Sequence, residues 1–237
     1  MTHSPGLRQR HLQGEIMDQP DLESGRHDLA LRGLARVNRW SNASRILWRP
    51  LAELARETGG TLRVLDLATG GGDLPITLWR LAKRAGLPIH VDACDVSLRA
   101  VDFARRQAES QGADVRFFEL DALTDELPDG YDVVVSSLFL HHLDDCQAER
   151  LLRRMAAAAK KMFLVNDLVR SLASLLITHV GTRVLSRSDV VHTDGPLSVK
   201  AAFTVNEVSE LARRAQLDRA VIRRHWPFRY SLTWRRP

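Results

Sequence analysis

The sequence predicts an α/β fold, a doubly wound and mostly parallel sheet with helices on both faces, and three observations predict it. Short apolar runs alternate with segments of helical period, as strand–helix–strand units require. The first run, Arg63–Leu67, crosses a glycine-rich turn straight into a helix. Several runs end in an acid, at the carboxyl edge where open sheets of this class bind ligands. The chain of 237 residues, 44% hydrophobic, is long enough to bury a substantial core.

The elements read in order. Ile89–Asp95 is the second strand. Val115–Leu120, followed by Asp121-Ala122, is the third. Tyr131–Leu143 is a buried fourth strand leading into a loop, and Met162–Asp167 is the fifth. After a helical insert and a helix over Asn206–Gln216, Arg219–His225 and Phe228–Trp234 flank Trp226-Pro227, which predicts a closing hairpin. Ahead of the sheet, Arg26–Glu57 reads as helical on Leu29, Leu34, Val37, Leu47 and Leu51, with Arg39-Trp40-Ser41-Asn42 as punctuation. Residues 1 to 25 are polar and broken by Pro and Gly, and are expected to begin as a mobile tail that folds into the first helices.

The run Val64–Pro75 carries the chemistry. Glycines let backbone N–H groups approach a ligand, and the helix that follows favours an anionic group at its N-terminus. A dinucleotide cradle would read G-x-G-x-x-G; Gly70 and Gly72 fit, but Pro75 stands at the third position. Asp66 would repel a pyrophosphate and could hold an ammonium group. The spacing Asp66-x-Ala68-x-Gly70-x-Gly72 resembles the D/E-x-G-x-G-x-G signature of class I S-adenosylmethionine-dependent methyltransferases, with Ala68 in place of the first glycine.

This resemblance spans residues 60 to 235 and implies a Rossmann-like sheet of seven strands whose last strand is antiparallel and inserted beside the fifth. It implies S-adenosylmethionine as cofactor, held by Asp66, Ala68, Thr69, Gly70 and Gly72. Asp95, with Val96 beside it, stands where a carboxylate would accept from ribose hydroxyls, and Asp121 and Ala122 fall at the adenine, although Asp121 reads equally as a turn cap. Ser136 lies at the end of the fourth strand, which in this family borders the transferred methyl. The expected division is a tail and helical cap over 1–58 and a cofactor domain over 59–237, with a lid insert at about 171–204.

Composition narrows the partners. The net charge of +5 and the eight arginines between Arg213 and Arg236 invite a nucleic-acid reading. Only four of the 34 basic residues are lysine, however, so arginine is used throughout. Arg213 and Arg214 read as a solvated helix face, and Arg223, Arg229 and Arg235 as alternating outward on the hairpin. Nucleic acid is therefore ranked below a small molecule. Two cysteines, Cys94 and Cys146, read as core packing and make no disulfide framework. No Cys-x-x-Cys or His-x-x-x-His pair suggests a metal. No signal region and no run of about 20 apolar residues appears, so a cytoplasmic protein that does not cross a membrane is expected. Ser171–Leu185, the most apolar helix candidate, reads as a lid.

Acceptor chemistry must come from outside the cofactor half, because the sulfonium already carries an activated methyl and catalysis needs mainly placement. Arg39 and Trp40 fall in the cap, where Trp40 could wall an aromatic acceptor. Val191–Lys200 reads as a turn-rich binding loop that puts His192 and Asp194 in one site, with His192 as a base. His141 and His142 are rival bases. Asn166 and Asp167 lie at the sheet edge, where either could reach the acceptor or cap the next helix; Arg170 could steer an anion or pair with Asp167. The run Phe163–Ser171 resembles bacterial methyltransferases near polyketide or quinone pathways. The expectation is O-methylation of a small aromatic or polyketide-like metabolite. The alternatives are an RNA or protein methyltransferase and a non-catalytic S-adenosylmethionine binder. A nicotinamide-dependent oxidoreductase also shares the fold class, with Asp66 and Pro75 against it.

Overall fold

The computed structural model describes residues 7–19 and 21–236. Two helices, α1 (Ser24–Trp40) and α2 (Ala43–Thr58), lead into β1 (Leu62–Leu67), α3 (Asp73–Ala85), β2 (Ile89–Asp95), α4 (Leu98–Ser110), β3 (Arg116–Glu119) and β4 (Val133–Ser137). Then follow α5 (Asp145–Ala158), β5 (Met162–Leu168), α6 (Leu172–Leu185), α7 (Asp189–Ala201), α8 (Val205–Arg214) and the hairpin of β6 (Val221–His225) and β7 (Arg229–Arg235). The seven strands are ordered β3-β2-β1-β4-β5-β7-β6. The first five are parallel, and β7 runs antiparallel between β5 and β6.

Alternation along the strands distributes the core. Leu65, Leu67, Val134, Phe163 and Val165 face α5 and α8, packing on Leu151, Leu152, Met155, Val208 and Leu211. Their neighbours Leu62, Val64, Val91, Val133 and Leu164 point the other way, onto Leu47 and Leu51 of α2 and Leu74 and Leu78 of α3. Because both faces are covered, the central strands are buried almost throughout. The strand order reverses at β1, whose neighbours are β2 and β4, and a crevice therefore opens at the carboxyl ends of β1 and β4.

The strands lie where the sequence puts them, and the break between α1 and α2 falls at Ser41 and Asn42, the latter left-handed with φ of 54°. Other expectations are corrected. Val191–Lys200 is no loop but most of α7, with Gly195 and Pro196 inside the helix. A Cβ on Gly195 would sit 2.7 Å from Thr182 Cγ2, so the glycine lets α7 close onto α6, and that packing overrides the turn propensity of Asp-Gly-Pro. Arg229 does not point outward: it is buried at the start of β7 under the end of α1, and its Nη2 donates to Ser41 Oγ and Asn38 Oδ1. Arg214 is only partly solvated and meets Glu149, and Cys146 is exposed on α5 rather than packed in the core. Of the expected tail, residues 1–6 lie outside the described residues. Residues 7 to 18 lie against the body, where Arg10 donates to the Leu143 and Ala201 carbonyls. Among the described residues no helix is long and apolar enough to cross a membrane.

Candidate active site

A cavity of about 640 Å³ occupies the crevice at the ends of β1 and β4. The turn after β1 forms its floor, with Ala68 at φ of 55° and Gly70 at 55°, both left-handed. Ala68 thus keeps the conformation that a glycine would hold without strain. The turn is clamped to β2: Gly70 N–H donates to Asp95 Oδ2 at 2.8 Å, and Ser97 N–H to Asp95 Oδ1 at 2.9 Å. Asp95 is thereby fixed at the rim beside Val96, which is exposed to the cavity. Asp121 and Ala122 line the same space. Asp121 also accepts from Leu123 N–H and Thr124 Oγ1, so its cap role and its place at the rim coexist.

Asp66 lies under the turn. Thr69 Oγ1 donates to its Oδ2 at 2.7 Å, while its Oδ1 is buried without a partner. Burial pushes this carboxyl up to about 8, against the Thr69 hydrogen bond. Gly72 is placed differently from expectation, since it does not line the cavity. Its φ is 74°, and a Cβ there would meet Ala104 Cβ at 2.8 Å and Phe117 at 2.9 Å. It therefore supplies the close helix-to-sheet approach that Pro75 cannot. Ser136 is also displaced. It is buried, with Oγ donating to Leu67 O, and its neighbours Ser137 and Leu138 face the cavity.

A second cavity, of about 110 Å³, lies between α1, α6, α7 and the β6–β7 hairpin. Its lining is largely apolar, with Val37, Trp40, Ile177 and Phe228 among its walls. Glu15, Leu34, Asn38, Leu138 and His142 border both cavities, so the two share a wall. Trp40 packs on Trp226 of the hairpin with ring centroids 5.5 Å apart, while Arg39 borders the first cavity.

The shared wall holds a cluster of ionisable groups. Asp167 accepts from His141 twice, from Nδ1 at 2.7 Å and from the backbone N–H at 3.0 Å. His141 Nε2 stands 3.7 Å from Glu15 Oε1, and His142 Nε2 3.9 Å from the same oxygen. Burial alone would lower the His141 pKa, but the Asp167 and Glu15 carboxylates outweigh it and hold the ring up to about 10. His141 is therefore an imidazolium at neutral pH rather than a free base. Both carboxylates are correspondingly lowered, despite their burial.

Neither His192 nor Asp194 borders either cavity, and they do not share a site. His192 Nε2 meets the Ser186 carbonyl at 2.9 Å. The Asp194 carboxylate accepts from Ile16 N–H at 2.9 Å and Met17 N–H at 3.0 Å, which seats the neighbouring Glu15. Asn166 is buried and donates to Ser137 Oγ. Asp167 caps no helix, and Arg170 pairs with Glu207 at 2.7 Å rather than with Asp167 or an anion. Glu15 is the residue that sequence reasoning missed. It comes from a polar segment far from the motifs, and nothing in its local sequence distinguishes it.

Residues 64–162 match the methyltransferase domain family. The chain is 32% identical over 187 residues to an uncharacterised methyltransferase of Mycobacterium tuberculosis, covering 75% of this chain and 89% of that one. It is a class I S-adenosylmethionine-dependent methyltransferase. A demethylmenaquinone methyltransferase of Thermus thermophilus is 40% identical over 100 residues, which is 41% of this chain and 43% of that one. Among solved structures, magnesium protoporphyrin IX methyltransferase from Synechocystis with bound S-adenosylhomocysteine superposes with a TM-score of 0.57 at 17% identity, covering 83% of each chain. S-Adenosylmethionine is the cofactor of this methyltransferase. The first cavity fits it: an orphaned carboxylate oxygen of Asp66 lies under the turn, the clamped Asp95 stands at its rim, and a Cβ on Gly70 would meet nothing within 4 Å.

Proposed function

We propose that this methyltransferase transfers its methyl group to an oxygen of a small aromatic or polyketide-like acceptor bound in the second cavity. The observation that carries the reading is the wall shared by the two cavities, apolar on the acceptor side and bearing Glu15 and His142 where they adjoin. Asp66, Ala68, Thr69, Gly70, Asp95, Val96, Asp121 and Ala122 hold the cofactor, and Gly72 and Ser136 shape its cavity from behind. Residues 1–58 and the insert at about 171–204 serve the acceptor, with Trp40 as a wall. Glu15 or His142 takes the acceptor proton, while His141 positions Glu15 through its charge. When bound, S-adenosylmethionine would supply the activated methyl to the acceptor oxygen, with the electron pair of the sulfur–methyl bond leaving on sulfur. The relative named for demethylmenaquinone supports a small acceptor. The small volume and largely apolar lining of the second cavity disfavour RNA. Two free cysteines agree with a reducing cytoplasm.

The test is incubation with methyl-labelled S-adenosylmethionine and a panel of phenols, hydroxyquinones and hydroxylated polyketides, read by mass spectrometry. O-methylated product supports the reading. Transfer confined to RNA or protein, or none with any acceptor, overturns it.

A further inference from the structure

Metal-site spacing in a sequence is visible only when the donors share one element, and here they do not. Glu15 comes from the N-terminal segment, and His141 and His142 from the short turn after β4. One donor atom from each lies within 4.8 Å of the other two. Both histidines aim Nε2 at Glu15 Oε1, at 3.7 and 3.9 Å, which is too far for a hydrogen bond. Donors at about 2.1 Å from a tetrahedral cation stand about 3.4 Å apart, so each histidine needs to approach Glu15 by only a few tenths of an ångström, and the two rings, whose donors lie within 4.8 Å, must close on each other as well.

The far side of each ring is held as well. Asp167 Oδ1 lies 2.7 Å from His141 Nδ1, and Asp18 Oδ2 lies 3.5 Å from His142 Nδ1. A carboxylate behind an imidazole keeps the proton on Nδ1 and aims Nε2 at a metal, and the cation takes the place of the Nε2 proton that His141 carries without it. Here a buried carboxylate is hydrogen-bonded behind His141, an exposed one stands near His142, and Glu15 Oε1 is itself oriented by the Ser198 hydroxyl. Two imidazoles and one carboxylate, with a position left open, match the donor set of zinc-type sites that also take a small ligand.

From this geometry we propose that Glu15, His141 and His142 bind one divalent transition-metal cation of the zinc class. Glu15 and His142 border both cavities, so the open side of the cation faces the wall they share. Its use, drawing an ionisable acceptor oxygen to that wall and lowering its pKa in place of proton transfer to Glu15 or His142, rests on the proposed acceptor reading; the binding itself does not.

The experiment is a calorimetric titration of chelator-stripped full-length protein with Zn²⁺, with no acceptor present. One equivalent is expected per chain, at least about tenfold weaker in His142→Ala and Glu15→Gln. Binding should be unchanged in His179→Ala, a histidine exposed on α6. Because Glu15→Gln could loosen the N-terminal segment, each variant is also checked for thermal stabilisation by S-adenosylhomocysteine. The unaltered protein is loaded with Co²⁺ as an independent measurement, and intense visible bands of a four-coordinate ion are expected. No stoichiometric Zn²⁺ binding, binding that survives His142→Ala, or a Co²⁺ spectrum like the hydrated ion would overturn the proposal. The cluster would then be an imidazolium held between carboxylates. Failure of every phenol as acceptor leaves these readouts intact, so the two proposals fail separately.

Discussion

The two cavities share a wall but are built in opposite ways. The floor of the cofactor side comes from one contiguous strand–turn–helix, Leu62 to Ala85, clamped by the next strand through Asp95, while α1, Asp121, Ala122 and Leu138 complete its walls. The acceptor side is assembled from segments far apart in sequence: Glu15, α1, the turn at His141, α6, α7 and Phe228. A cavity made by backbone conformation is fixed by a few residues whose types are dictated locally. One made by tertiary assembly is fixed by contacts that no local pattern announces. The difference predicts that substitutions on the acceptor side change turnover while sparing cofactor binding, and that those on the cofactor side change stability or affinity.

The largest effect is expected at the shared wall. Glu15→Gln should lower kcat by about 10²-fold or more, in the range of a lost proton-transfer group, with the thermal shift given by S-adenosylhomocysteine retained. Loss of that shift in a folded variant would show that Glu15 belongs to the cofactor side.

Gly72→Ala tests the cofactor side through stability. The added Cβ meets Ala104 and Phe117 in a left-handed backbone, so a loss of about 2–4 kcal/mol is expected. Thermal denaturation should show a midpoint lower by about 4–16 °C for a chain of this size. An unchanged midpoint would mean that helix α3 shifts freely, contrary to a clamped turn.

Asp95→Asn should be milder. It removes the charge from two hydrogen bonds that fix the turn and from the rim of the cofactor cavity. A rise of about tenfold in the dissociation constant of S-adenosylmethionine is expected by calorimetry.

A further effect is read through pH. Asp66 has its carboxyl raised to about 8 in the folded protein. Between the unfolded value near 4 and this folded value, the native state holds a proton that the unfolded state releases, so stability falls as pH rises and levels off above 8. The midpoint of the unaltered apo-protein should therefore decline more steeply from pH 5 to pH 8 than that of Asp66→Asn. Parallel curves would mean that Asp66 ionises normally.

How much was legible follows the same division. Ile89–Asp95 was read to the residue because its ends are set by Pro88 and an acid, and Met162–Leu168 to within one residue. Asp66, Ala68 and Gly70 were singled out by one motif and Asp95 by the acidic end of the next strand, and all four line the first cavity. The role of Gly72 did not, since the atoms it makes room for belong to Ala104 and Phe117, more than 30 residues away. Val191–Lys200 was misread because Asp-Gly-Pro has the local chemistry of a turn, while the helix it forms depends on Thr182 of α6. Arg229 was misread because its end of β7 is covered by Asn38 and Ser41, 191 and 188 residues earlier, whereas Arg235 on the same strand is exposed. Asp194 was read as a ligand group, and Arg170 as steering an anion or pairing with Asp167, because a lone acid or arginine shows no partner in sequence; their partners are Ile16, Met17 and Glu207.

The central claim, that the acceptor lies in the chamber beside the cofactor, is tested most directly by filling that chamber. Gly181 borders it, and a Cβ there meets nothing within 4 Å. In Gly181→Phe, assayed with an acceptor found in the screen, we expect methyl transfer to fall steeply while S-adenosylmethionine binds with unchanged affinity. Unimpaired transfer, or loss of cofactor binding from a folded protein, would contradict the assignment of the two cavities.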